Sequence, residues 1–507
     1  MEETRIAVIG SGFAGLGMAI RLKQGGHEDF LVLERSDEVG GTWRDNTYPG
    51  CGCDVVAHIY SYSFAPNPNW SHSLAPQREI RDYLRDCTDR YGIRPHLRLR
   101  HDVRSITWQE HERRWLIDTA EGPVSAQFVV QATGPMSDPW IPDLPGRERF
   151  EGTAFHSARW RHDHELQGRR VAVIGTGASA IQFVPRIQPE VERLLVFQRT
   201  APWVVPRPMR RITRFERFAY RHVPGLQRVV RAMLFLTHES AVIALRRPWM
   251  MRMFIEPIVW ARVKMQVRDR KLRDKLRPSI RAGCKRILLS NDWYPALCKD
   301  NVDVVDGRIR EIRERSIVTA DGAEHEVDTI VYATGFHVTD PPLSYSVRGR
   351  DGVAMGELFE RESPQALRGT TVNGFPNYFI VVGPNTGTGI NTLVFNMESQ
   401  FNYIVRALEA IDALGAEAVE PRAEAQESYN RMVQDRLRGT VWTTGCASHY
   451  IDHNGRNVSL WPHFMLTFRA QTRRFDPAEY VLYSPNGSSN GRAHETATSG
   501  RERTATA

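Results

Sequence analysis

Short apolar runs recur along the chain, each closed by glycine, proline or a small polar residue. They fall at Arg5–Ile9, Phe30–Leu33, His101–Ile106, Phe128–Thr133, Val171–Ile174, Ile287–Leu289 and Tyr378–Val382. Runs this short, without polar alternation, predict strands covered on both faces, as in a parallel sheet flanked by helices. A longer 3.6-residue periodicity predicts a helix over Asn396–Leu414. From about Arg207 to Pro278 the pattern turns helical and basic, with apolar clusters such as Val229, Val230, Met233, Leu234 and Leu236 interrupted by Pro224, Pro248 and Pro257. Two of the runs, Arg5–Ile9 and Val171–Ile174, lead into G-x-G-x-x-[GA] turns, so the fold class is α/β, with two Rossmann-like dinucleotide-binding domains.

Two of the strands run directly into a glycine motif. After Ile9 comes Gly10-Ser11-Gly12-Phe13-Ala14-Gly15, and after Ile174 comes Gly175-Thr176-Gly177-Ala178-Ser179-Ala180. Such a turn admits a pyrophosphate to the N-terminus of the following helix, where free N–H groups and the helix dipole favour negative charge. The two motifs differ in the charge at the end of the next strand. Nineteen residues past Gly15 stands Glu34, which suits a free ribose 2′-hydroxyl; nineteen past Ala180 stands Arg199, with Thr200 beside it. A guanidinium there matches a 2′-phosphate and does not do what a carboxylate does for a bare ribose. The second site is therefore expected to take NADPH, with Lys285 as a further phosphate contact.

Composition narrows the class. The chain has 507 residues, 41% of them hydrophobic and 25% charged, too long for one core and balanced as in a globular enzyme. No apolar run approaches the roughly 18 residues of a membrane span, and the fold starts at Arg5, so a cytoplasmic protein is expected. The six cysteines, 51, 53, 87, 284, 298 and 446, show no paired C-x-x-C spacing. Reduced thiols are the expectation, with no metal site. The formal charge is +8, but 22 Lys/Arg against 5 Asp/Glu between Arg207 and Arg286 make that segment +17 and the remainder −9. No nucleic-acid motif accompanies the basic segment, so nucleic acid is not expected as a partner. The segment reads as a solvated helical subdomain or subunit contact, with a membrane-surface helix as the alternative.

Between Gly40 and Asp54 lies a stretch rich in Gly, Pro and Asn that predicts a loop able to lie along a flat ring system. Gly40, Gly41, Trp43, Tyr48, Pro49, Gly50 and Asp54 fill every fixed position of [AG]-G-x-W-x4-[FY]-P-[GM]-x3-D, which resembles the fingerprint of type I Baeyer–Villiger monooxygenases. Phe150, Gly152, His156 and Trp160 are similar to that family's longer signature F-x-G-x3-H-x3-W; the next residue is Arg161 where the family has Pro or Asp. A basic residue there occurs in N- and S-oxidising flavin-containing monooxygenases. The disulfide reductases place cysteines after a first nucleotide motif as C-x4-C, whereas Cys51 and Cys53 are C-x-C.

The resemblance extends over about residues 5–483, through Gln198–Trp203, Gly283–Arg286, Asp328–Phe336, Gly383–Gly387 and the segments around Val441–Cys446 and Asn454–Pro462. It implies FAD in the first site, with Gly10, Gly12, Phe13, Ala14, Gly15 and Glu34 about its diphosphate and ribose. Thr42, Trp43, Asp54 and Tyr60 would line the flavin, Val103 the adenine, and Asn385 the final flavin-contacting turn. NADPH would lie on Gly175, Thr176, Gly177, Ala178, Ser179, Ala180, Arg199, Thr200 and Lys285. Arg286 is the implied cation at the flavin, Asp54 its ion-pair partner, and Trp442, ahead of Trp461, the tryptophan that approaches the nicotinamide. His156 and Trp160 form the hinge between domains, His156 read as structural rather than catalytic. The implied reaction reduces FAD with NADPH, adds O2 at flavin C4a, and inserts oxygen beside a ketone carbonyl to give ester or lactone. N- or S-oxygenation is the alternative, and a non-catalytic dinucleotide redox sensor the remote one.

The domain organisation expected is a first part of the FAD domain over 1–145, an NADPH domain over 146–206 and 283–335, a helical insertion over 207–282, the second part of the FAD domain over 336–483, and a disordered tail over 484–507.

Overall fold

Strand β1 (Glu2–Ile9) is an interior strand of an eight-stranded sheet. It lies parallel to β2 (Phe30–Leu33) on one side and to Val124–Gln131 on the other, with Ile6 opposite Phe30 and Phe128. β1 begins before its apolar run because Glu2, Glu3 and Thr4 pair with Val124, Ser125 and Ala126, a long-range contact that hydropathy does not encode. The computed structural model describes residues 1–445 and 448–484, so Cys446 and all of the expected tail but Ser484 lie outside the described residues.

Val103–Gln109 and Arg114–Thr119 add antiparallel strands to this sheet. Tyr378–Ile380, arriving some 250 residues later, pairs with the far end of Val124–Gln131. Helix α1 (Phe13–Gln24) covers one face, packing against the long helix Leu393–Ala413. Gly17 permits that contact, since a Cβ there would meet Phe401 Cε2 at 2.5 Å.

A second sheet has the order Val302–Asp306, Arg193–Gln198, Arg170–Ile174, Thr329–Tyr332, Thr153–His156, every pairing parallel. In both sheets the strand preceding a glycine motif has neighbours whose connections leave in opposite directions. Each motif thus sits at a topological switch point, the crevice where α/β sheets bind ligands.

Two local expectations are corrected. The loop after Gly40 contains one helical turn, Thr42–Asp45, whose geometry is fixed by Asn46 N–H bonding back to Thr42 O at 3.1 Å. The strand from Tyr378 stops at Ile380 because Val382 adopts a φ of 63°, its N–H taken by Gln400 Oε1 at 2.9 Å instead of a ladder partner.

The basic insertion is helical, as its pattern predicts, but it straddles the two cores. Its helices Arg214–His222 and Leu226–Ser240 lean on the first, where Phe235 stacks on Phe395 at 4.4 Å. Leu245, Met251, Val259 and Val263 belong to the second. One cysteine expectation fails: Cys284 is disulfide-bonded, while Cys51, Cys53, Cys87 and Cys298 are free. Spacing along the chain cannot show which thiols a fold brings within bonding reach.

Candidate active site

At the end of β1, Gly10 takes a φ of 99°, and a Cβ on Gly15 would stand 1.8 Å from Gly10 O. Helix α1 can leave the strand this tightly only with glycine at Gly15. The turn from Gly40 lies directly over this one, with Gly40 N–H donating to Ser11 O at 3.0 Å and a Cβ on Gly41 meeting Gly12 Cα at 3.0 Å. Bare backbone on both sides forms a cradle of the kind a diphosphate requires.

Glu34 is buried behind the cradle. It accepts from Ser11 N–H at 2.9 Å, Ser11 Oγ at 2.6 Å, Ser36 N–H at 2.9 Å and Arg44 Nη1 at 2.9 Å. These four donors use the carboxylate's lone pairs. The rotatable Ser11 hydroxyl is the donor that a ribose hydroxyl replaces at least cost.

The aromatic residues named from the sequence form one cluster. Trp43 Nε1–H donates to Tyr60 OH at 3.1 Å, and Tyr60 meets Phe13 edge-on at 5.0 Å. Burial pushes the Tyr60 hydroxyl far above its usual range, so it stays neutral. Thr42 opens the helical turn and is exposed. Val103 begins its strand and packs against the apolar cluster that contains Leu33. Asn385 is buried at a φ of 56°, and its Nδ2 donates to Asn457 O at 2.9 Å and Leu460 O at 3.1 Å. Its Oδ1 is buried with no hydrogen-bond partner among the described residues, an acceptor free at a turn expected to meet the flavin.

At the other end of the loop Asp54 receives Arg286 in a fork, Nε to Oδ2 at 3.1 Å and Nη2 to Oδ1 at 2.8 Å. These residues are 232 positions apart and half-buried. The Asp54 charge, foremost, raises the pKa of Arg286 and outweighs its desolvation, so the guanidinium remains a cation. Among the described residues its Nη1 has no bonding partner. Burial pushes the Cys51 thiol up to about 12 and that of Cys53 higher still, so neither supplies a thiolate near neutral pH.

The second cradle repeats the first with less closure. Gly175 has a φ of 111°, and a Cβ there would lie 2.4 Å from Ala333 O. Gly177 faces open space, with nothing within 4 Å of a notional Cβ. A turn of chain at Ala178 and Ser179 precedes the helix Ala180–Ile187. Thr176 Oγ1 donates to Thr200 O at 3.4 Å, joining the two halves of the motif. Lys285 is held below its ordinary pKa by burial and then by the charge of Arg199. Neither cation has a carboxylate partner among the described residues, and two facing cations without a counter-ion form a site for an anion.

Trp442 is buried against Gly389, and its neighbour Val441 lies against Gly283. A Cβ on Gly389 would meet Trp442 Cζ2 at 2.8 Å, and one on Gly283 would meet Val441 Cγ2 at 3.2 Å. Trp461 is engaged elsewhere, its Nε1–H on Phe464 O at 2.9 Å. His156 is buried beside Phe336, its Nδ1 accepting from Ala158 N–H at 3.1 Å. Burial lowers its pKa to about 4, so it is neutral. Trp160 packs on Phe183, which packs on Tyr48 of the first domain's loop. Arg161 points to solvent in an ion pair with Asp163 at 2.6 Å, and the residue that suggested heteroatom oxygenation thus stands outside both cradles.

One residue of the site escapes the sequence reading. Gln182, in the helix after the second motif, grips the first domain's loop: Nε2 donates to Gly52 O at 3.0 Å, while Oε1 accepts from Gly52 N–H and Tyr48 OH at 3.2 Å. Its only signal is being polar among the buried Ala180, Ile181, Phe183 and Val184.

Bare-backbone cradles at both switch points, the carboxylate Glu34 at one and the cations Arg199 and Lys285 at the other, and the unpartnered Asn385 Oδ1 fit two dinucleotides. Comparison with known proteins agrees. A profile of the flavin-binding monooxygenase-like family matches residues 3–377. A Baeyer–Villiger monooxygenase of Streptomyces coelicolor is 49% identical over 486 residues, 96% of this chain and 93% of its own. The closed crystal structure of cyclohexanone monooxygenase superposes with a TM-score of 0.85 at 27% identity, covering 96% of this chain and 100% of that one. A complex of OTEMO with FAD and NADP gives 0.84 at 26% identity, covering 94% and 99%. The chain belongs to the flavin-binding monooxygenase-like family and, within it, to the Baeyer–Villiger monooxygenases, which insert one oxygen atom of O2 beside a ketone carbonyl using FAD and NADPH.

Proposed function

We propose that the Arg286–Asp54 pair performs the charge stabilisation of this oxygen insertion. FAD and NADPH, when bound, would supply the reducing equivalents that activate O2. Asp54 fixes the plane of the guanidinium through Nε and Nη2, which leaves Nη1 to donate toward an oxyanion. A cation already in place costs no reorganisation when charge develops on the substrate carbonyl oxygen, and it acts most strongly where water is excluded. Trp442, buried against Gly389, is assigned to the nicotinamide side of this cation. Arg199 and Lys285 bind the 2′-phosphate, and Glu34 the adenosine ribose of FAD. His156 and Trp160 serve as the joint through which the second sheet moves relative to the loop.

A small ketone and O2 are the proposed reaction partners, and the cytoplasm the proposed location; among the described residues no helix is long and apolar enough to cross a membrane. The observation that carries the reading is the fork at 2.8 Å and 3.1 Å, formed across 232 residues between the two glycine cradles. The test is turnover of cyclic, linear and aryl ketones with NADPH, with products identified by mass spectrometry. A gain of one oxygen as ester or lactone is expected. Oxygenation of sulfides and amines with no ketone converted would overturn it.

A further inference from the structure

The outward face of the basic insertion is built for contact with something other than water. Between Met209 and Met265 lie 13 of the 20 large hydrophobic residues exposed among the described residues. They form stripes. In Leu226–Ser240 the buried positions are Gln227, Phe235 and Glu239, whereas Val229, Met233 and Leu236 point outward at spacings of four and three residues. Phe215 and Phe218 do the same on Arg214–His222, and Trp249, Met253, Phe254 and Ile258 on the following segment, with Phe215 at 78% and Met253 at 61% exposure. Exposed apolar surface of this extent marks an interaction site.

The charge around it is of one sign. Of the segment's 5 acids, three are used internally. Glu216 pairs with Arg210 and closes the capping box on Thr213. Glu239 is buried, accepting from Asn391 and from Leu466 N–H. Glu256 takes Arg281 and Ala282 N–H. Arg211, Arg214, Arg228, Arg246, Arg247 and Arg252 are exposed, and among the described residues none has a carboxylate partner.

We propose that this face docks peripherally on an anionic phospholipid surface. A second copy of the chain would set the exposed Arg211, Arg214, Arg228, Arg246, Arg247 and Arg252 against their own counterparts within a Debye length, so charge opposes self-association through this face. An anionic bilayer supplies the complementary charge. Its fluid interface also admits protruding Phe, Trp and Met side chains without a matching hollow for each, and buries such faces about 5–10 Å deep. The opposite, buried side of the insertion reaches the site, because Leu245 and Met251 pack on Gly283, two residues before Lys285.

The test is flotation of the full-length, FAD-loaded protein with vesicles of phosphatidylcholine alone or mixed equally with phosphatidylglycerol. Binding to the mixed vesicles only, reversed by high salt, is the expected result. Each cation near the surface contributes about fivefold, so Arg246→Gln/Arg247→Gln/Arg252→Gln lowers partitioning on the order of 100-fold. Met253→Ser/Phe254→Ser also weakens it, and both variants retain flavin and turn over a water-soluble ketone at the unaltered rate. Failure to bind the mixed vesicles, or equal binding to both kinds, overturns the proposal. So does light scattering that shows a dimer dissociated by Met253→Ser/Phe254→Ser.

Discussion

At the scale of single residues, Arg286 separates two half-reactions that a general loss of activity would merge. Arg286→Ala keeps both cradles intact, so FAD binding and reduction by NADPH are expected to persist. Oxygen transfer is expected to fall roughly 10²- to 10³-fold, the cost of one preorganised donor, with hydrogen peroxide released in place of ester. Arg286→Lys should also be impaired, since an ammonium cannot bind Asp54 through a planar fork while presenting a further N–H. Stopped-flow absorbance together with ester and peroxide assays resolves these steps; ester formed by the alanine variant at the unaltered rate would return the pair to phosphate binding. Arg199→Ala tests the second cradle. Losing a charge-assisted hydrogen bond of about 1.5 to 3 kcal/mol should raise KM for NADPH roughly 10- to 150-fold and leave NADH nearly unaffected. Equal losses with both coenzymes would place the 2′-phosphate elsewhere.

Between residues and the whole molecule stands one loop, Gly40–Asp54, which serves two bodies. It lies over the first cradle through Gly40 and Gly41, carries Asp54 to Arg286, and is held from outside by Gln182 of the second domain. Gln182→Leu removes both amide bonds to Gly52 and is expected to cost about 2 kcal/mol of stability, which leaves the protein folded. Its particular consequence should be coupling: the loop loses its register and NADPH oxidation is diverted from ester to peroxide. Gln182→Glu keeps the acceptor for Gly52 N–H and Tyr48 OH and should recover part of the yield. An ester-to-peroxide ratio unmoved in both variants would reduce the contact to packing. The loop's one helical turn, unforeseen from its Gly, Pro and Asn content, places Trp43 edge-on to Tyr60 at 5.6 Å.

For the molecule as a whole, two buried histidines tie stability to pH. Burial lowers His58 and His156 from 6.5 to about 4. The unfolded chain therefore binds protons that the folded chain refuses, and the stability conferred by their neutral forms is complete above about pH 6.5 and lost as pH falls toward 4. Each contributes up to about 1.4 kcal/mol per pH unit in that window. Urea midpoints at about pH 7 and about pH 5 should differ, and by less in His156→Gln; an equal difference in both proteins would show that His156 titrates normally. Much of this architecture was legible along the chain. The apolar runs that stop at Gly10 and Gly175, and the acid or arginine beyond each, are local chemistry, since a turn without side chains and a charge at the next strand end act wherever the strands are placed. Glu34 and Arg199, opposite in charge at equivalent places, are the local difference from which two different dinucleotides are expected. Contacts across hundreds of residues were not legible, because hydropathy records whether a side chain is buried and not against what. The fork of Arg286 on Asp54 came from likeness to a family, and Gln182 on Gly52 from the fold alone. The disulfide at Cys284 and an insertion leaning on both cores likewise depend on which surfaces meet when the two sheets pack. Sequence by itself determined the two glycine turns and the charge that stands beyond each, and tertiary structure decided how they share one loop and one cation, because that juxtaposition is made by packing between segments that no local pattern links.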